Sequence, residues 1–141
     1  MIKANDPNRI SWIEVASNSD FPIQNIPFGI FKTSEKTNCV GTRIGDYAID
    51  LNALHKLNYF DGITLDRDIF NKETLNDFLK LGKPFWRQVR DCIAEIFDSN
   101  NVMDESHKTV VLSKIDEVEM LMPVKVGDYT DFYSSRQHAY N

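Results

Sequence analysis

Between residues 40 and 51 apolar and polar positions alternate with a period of two. Val40, Thr42 and Ile44 share one face, and Tyr47, Ile49 and Leu51 share the next. Gly45-Asp46 lies between the two runs, and glycine accepts the positive φ that a two-residue primed turn requires, so the pattern predicts a β-hairpin. A slip of one residue would turn the whole apolar set to the other face, which pins the register. Shorter alternations predict a strand over 11–15, with Trp12 and Ile13 on opposite faces, and another over 28–31. The stretch between them carries Pro22 and Pro27 and reads as a loop. Asp50 suits the cap of a short helical turn at 50–54.

The period then changes. Residues 74–81 predict a helix, with Asn71 near its start and Gly82 as its stop. Pro84 fits the first turn of a second helix. Phe85, Val89, Cys92, Ile93, Ile96 and Phe97 recur there at helical spacing, with Arg87, Arg90, Asp91, Glu95 and Asp98 largely opposite. Such a stripe predicts core. Residues 58–70 read as irregular, 108–112 as helix or strand, and 119–124 as an extended segment ending at a proline-bearing exit. Residues 1–10 are polar and read as frayed.

Composition narrows the class. With 141 residues, 42% hydrophobic and 26% charged, the chain suits one domain with a real core. A net charge of -5 argues against nucleic acid as a partner, because phosphate binding favours a basic face. No run approaches the ~20 apolar residues of a membrane span, and no apolar leader follows Met1. Cys39 and Cys92 are far apart and lack metal-site spacing, which predicts reduced thiols in a cytoplasmic protein; a single disulfide is the alternative. Nothing singles out His55 or His107, and both read as surface residues.

The densest chemistry lies at 127–138, where carboxylates, phenols, hydroxyls, a guanidinium and an imidazole crowd together. Tyr129, Phe132, Tyr133 and Tyr140 make this a poor candidate for disorder. Such a cluster reads either as a tail or as the opening of a site completed elsewhere. Asp131 could ligate a hard cation, which needs about six or more oxygens. His138 could act as a base near neutrality. Local chemistry alone favours the plainer reading, a solvated Asp and a surface His.

Three stretches resemble the fumarylacetoacetase family. The run Asp131-Phe132-Tyr133-Ser134-Ser135-Arg136-Gln137-His138-Ala139 is similar to the segment opening its catalytic domain. Asp20 to Gly29 (DFPIQNIPFG) is similar to the opening of its N-terminal domain, and Glu73 to Phe78 with Leu81-Gly82 matches more weakly. The matches fall in order from about Trp12 to Ala139.

The resemblance implies a mainly β fold with a helical insertion (α+β): an SH3-like barrel over 12–118, then the start of a mixed β-roll catalytic domain over 119–141. It implies hydrolysis of a carbon–carbon bond in a small diketo acid, 4-fumarylacetoacetate, late in tyrosine and phenylalanine breakdown. On matching positions, Asp131 is expected to ligate a metal, Tyr133 to contact substrate and His138 to be the catalytic base. Ca²⁺ or Mg²⁺ is the expected cofactor, the parent is expected to be a homodimer, and the 141-residue chain alone is expected to be inactive. Two alternatives remain: a short non-catalytic protein keeping the N-terminal domain as an interaction module, or a relative acting on another acylpyruvate.

Overall fold

The computed structural model describes residues 3–140. Its centre is a five-stranded antiparallel sheet. In chain order the strands are β1 (Gly29–Lys32), β2 (Cys39–Ile44), β3 (Tyr47–Asp50), β4 (Leu112–Lys114) and β5 (Glu119–Leu121), and across the sheet they run β4-β3-β2-β1-β5. The helices are α1 (Leu51–Lys56), α2 (Asn76–Lys80), α3 (Lys83–Ile96), α4 (Glu105–Val111) and α5 (Arg136–Tyr140). None of the described helices is long and apolar enough to cross a membrane.

The hairpin forms in the predicted register, with Ile44 opposite Tyr47 and Thr42 opposite Ile49. Gly45 takes φ 53° and Asp46 does not take a positive φ, as in the primed turn that places glycine first. Leu51 leaves the strand and begins α1. The buried Asp50 carboxylate caps that helix, accepting the Ala53 N–H at 2.9 Å, and also pairs with Lys36 Nζ at 2.7 Å. At the other end Asn58 adopts φ 64°. Its N–H donates to the His55 carbonyl, and the Tyr59 N–H donates to that of Leu54, a left-handed stop that satisfies the last carbonyls.

The two sheet edges, β4 and β5, are joined by a single 3₁₀ turn at Ile115–Glu117 and by Val118. Five flat strands would set the edges about 19 Å apart at ~4.8 Å per strand. So short a link, partly wound, spans less than that. The sheet is therefore curled, an antiparallel half-barrel in a mixed α/β chain.

Curling gives the sheet two unlike faces. Ile30, Val40, Ile44 and Ile49 face the main core, where α1, α3 and the irregular 58–75 region meet them. Phe28, Phe78, Phe70 and Phe60 form a continuous row there, with ring centroids 4.9, 5.4 and 5.4 Å apart. Each buried phenylalanine contributes about 1.5–3 kcal/mol through its area. The other face carries Phe31, Cys39 and Ala48, covered by Ile115 and Val118.

Two local expectations differ from the structure. Residues 11–15 form no strand: Ser11 makes one isolated bridge with Asp98, and Trp12 stacks on Phe97 at 5.1 Å. Residues 3–10 are docked rather than frayed. Ala4 is fully buried, its N–H donates to Asp91 Oδ1 at 2.7 Å, and Arg9 donates to the Ala94 carbonyl. Met1 and Ile2 lie outside the described residues. Residues 108–112 combine both readings, helix through Val111 and strand from Leu112. Both cysteines are free thiols. Burial pushes the Cys39 and Cys92 thiols up to about 11, with Asp50 adding to the effect at Cys39 and Glu95 at Cys92.

Candidate functional site

The segment bearing the candidate residues leaves the sheet edge at β5 and is tied down once more before it runs free. Leu75 N–H donates to the Pro123 carbonyl at 2.8 Å. The Asn76 side chain then grips the backbone of Lys125 from both sides, donating to its carbonyl at 3.0 Å and accepting its N–H at 2.8 Å. That amide copies the pairing of a neighbouring strand. Beyond it, every residue from 125 to 140 is exposed.

Ser135 starts the closing helix α5. Its carbonyl accepts the Ala139 N–H, and its hydroxyl accepts the His138 N–H at a long 3.4 Å. Arg136 lies over the Tyr140 ring at 5.4 Å. The single turn aims His138 back along the chain, so that its imidazole meets the Tyr133 ring edge-on with centroids 5.2 Å apart.

Two of the three predicted residues are thus together. Asp131 is not among them: its carboxylate is exposed and makes no hydrogen bond or ion pair among the described residues. Nor do any three His, Cys, Asp or Glu side chains among the described residues converge as a metal site would require. One carboxylate offers at most two of the six or more oxygens of a Ca²⁺ or Mg²⁺ shell. The residues present here therefore do not by themselves fit such an ion. What the segment offers is a phenol, an imidazole and a carboxylate open to water, with no wall behind them.

The other two histidines have structural partners that sequence reasoning missed. His107 Nδ1 shares a 2.8 Å hydrogen bond with the Tyr59 hydroxyl, joining the end of α1 to α4. Tyr59 is pushed up by burial and by Asp104. His55 packs against Phe60 and Phe70, with Nε2 at 3.2 Å from the Asp66 carbonyl. Both are half-buried. Neither contact had a local signal, since each partner is brought in by the fold.

Known proteins similar to this chain agree on one family. The model for the fumarylacetoacetase N-terminal family matches residues 24–123. The fumarylacetoacetase of Dictyostelium discoideum is 41% identical over 135 residues, covering 93% of this chain and 32% of that protein. That of Arabidopsis thaliana is 40% identical over 136 residues, with 93% and 32% covered. The human enzyme is 37% identical over 137 residues, with 94% and 32% covered. The chain spans about a third of the length of the curated relatives it matches.

Proposed function

Because the chain belongs to the fumarylacetoacetase N-terminal family, we propose that it is the front part of a hydrolase that splits 4-fumarylacetoacetate into fumarate and acetoacetate. The observation that carries this reading is the similarity over more than nine-tenths of the chain to proteins of that one name. The pairing of Tyr133 with His138 supports it locally.

The chemistry assigns each residue a task. His138 takes a proton from water, and the resulting hydroxide equivalent adds to the ketone carbon next to the alkene. The bond from that carbon to the methylene between the carbonyls breaks, and its electron pair leaves with the methylene. A proton then returns to that carbon, giving acetoacetate, while the acyl half becomes fumarate. The Tyr133 phenol donates to a substrate carboxylate or carbonyl. Asp131 would contribute one carboxylate to a divalent cation, Ca²⁺ or Mg²⁺, whose other ligands lie outside these 141 residues.

The same reading divides the chain into an SH3-like barrel over 12–118 and the start of a catalytic domain over 119–141. Five antiparallel strands whose edges are joined by a 3₁₀ turn support the barrel. On this division β5 is the first piece of the second domain, laid along the edge of the first. A cytoplasmic location and a homodimeric parent follow from the resemblance.

The test compares the 141-residue chain with a version extended by the remaining two-thirds of a fumarylacetoacetase. Fumarate release is expected only from the extended protein, and His138→Ala should lower its kcat by about 10²–10⁴. Turnover by the 141-residue chain alone, or an extended His138→Ala enzyme of unchanged rate, would overturn the proposal.

A further inference from the structure

The face of the sheet that carries Phe31 and Ala48 holds a half-open cavity separate from residues 131–138. It measures ≈340 Å³, within the range of small-ligand sites. Phe28, Phe31, Ala48, Val118 and Met120 line it. Gly41 lets the Phe31 ring form its floor, since a Cβ there would stand 2.6 Å from the Ile49 carbonyl and closer still to that ring. Phe31 can lie flat over β2 only because that position has no side chain.

Among the described residues, a single charged side chain reaches these walls. Arg43 stands beside Phe21, its guanidinium 3.9 Å from the ring centroid. Its Nε donates to the Gly45 carbonyl at 2.8 Å, which fixes the plane of the group. Its charge is scarcely met. Asp46 lies 3.6 Å from Nη2 with a side chain 83% exposed, and so long a pair in water contributes little. Nη1 makes no hydrogen bond among the described residues.

We propose that this cavity binds a small carboxylate with a flat or branched apolar body, its body between Phe28, Phe31 and Met120 and its carboxylate on Arg43. An oriented guanidinium favours a carboxylate, which it can hold through two parallel hydrogen bonds. Apolar walls reject an anion that is hydrophilic throughout, because it would lose its hydration without replacement. The flexible Met120 side chain lets the site adjust to the ligand's shape. The site is independent of the reaction proposed for residues 131–138.

The test is titration of 3-phenylpropionate into the isotopically labelled 141-residue chain, followed by amide chemical shifts. Saturable shifts are expected at Phe31, Gly41, Ala48 and Val118, with a Kd of about 1 mM or tighter. The uncharged analogue 3-phenylpropan-1-ol should bind about fivefold more weakly or worse. Arg43→Leu should weaken the acid by about tenfold, and Arg43→Lys should restore part of it. Asp46→Asn, which releases the guanidinium's exposed neighbour, should tighten binding. Absence of shifts at about 10 mM ligand, or equal binding of acid and alcohol, would overturn the proposal. So would cavity shifts that depend on protein concentration without ligand, because a second copy would then be the occupant. Should Arg43→Leu fail to fold, the acid–alcohol comparison on the unaltered chain decides.

Discussion

The row of phenylalanines in the main core and the aromatic segment after Lys125 are alike in composition and opposite in setting. Phe60, Phe70 and Phe78 are each about 99% buried, and each meets another ring within 5.5 Å. Tyr129, Phe132, Tyr133 and Tyr140 are 64–83% exposed. Residues of one chemical kind therefore serve as structure in one place and stand open in the other. The difference lies in what the fold brings to them. The core rings converge from the residue before β1, the irregular 58–75 region and α2, whereas the late rings meet little beyond their own segment. Exposed apolar groups gathered in one place are the usual mark of a surface that something else covers.

The contrast can be broken most severely from the buried side. Phe78→Ala removes the middle of the row, touching both Phe28 and Phe70, and is expected to cost about 3–5 kcal/mol. Urea unfolding would measure it, and a loss under about 1 kcal/mol would mean that the row is not tightly packed. Asp50→Ala should cost about 1–2 kcal/mol, because it removes the cap on Ala53 and the partner of Lys36 together.

The buried Cys39 and half-buried Cys92 thiols sharpen the comparison through pH. Their folded values, about 11 against an ordinary 9.0, mean that the native state holds these protons longer than the unfolded chain does. Their contribution is fully present below pH 9 and lost as pH rises through about 11. Unfolding midpoints should fall across that window, and less steeply in a Cys39→Ala, Cys92→Ala double variant. Native thiols should also resist alkylation at pH 8, with rapid labelling in denaturant. The smallest effect belongs to the open segment: Phe132→Ala should shift stability by no more than about 0.5 kcal/mol, and a larger change in the melting temperature would show that Phe132 packs on the body.

Legibility in the sequence followed how local each cause was. The hairpin was readable because its turn, register and alternation lie within twelve residues, and glycine at position 45 leaves few choices. The stripe of α3 was readable for the same reason, with Val89, Ile93 and Phe97 all buried. The segment at 11–15 misled because alternation describes facing and not partnership: Trp12 faces Phe97 rather than a neighbouring strand. Arg90 misled in the opposite sense. It belongs to the polar side of α3, yet it donates to the carbonyls of Gln24 and Ile26, which the loop leaves without strand partners. Strands β4 and β5 have three residues each and exist only through their neighbours. Asp131, Tyr133 and His138 stood out by chemistry, and sequence could not show which of them would meet. Nor could it show Asn76 holding Lys125, since that pairing joins positions far apart in the chain.

The short link between the sheet's two edges carries a consequence for how the molecule is made. Ile30 on β1 waits for Leu121 on β5, and Tyr47 on β3 waits for Lys114 on β4. During synthesis the hairpin and the helices can form early, but neither flank of the sheet can be filled until residues 112–121 have left the ribosome. Until then β1 presents a bare edge, able to pair with any strand that passes. The short strands β4 and β5 therefore act as the latch of the sheet, and a pause in translation before residue 112 would leave both edges open at once.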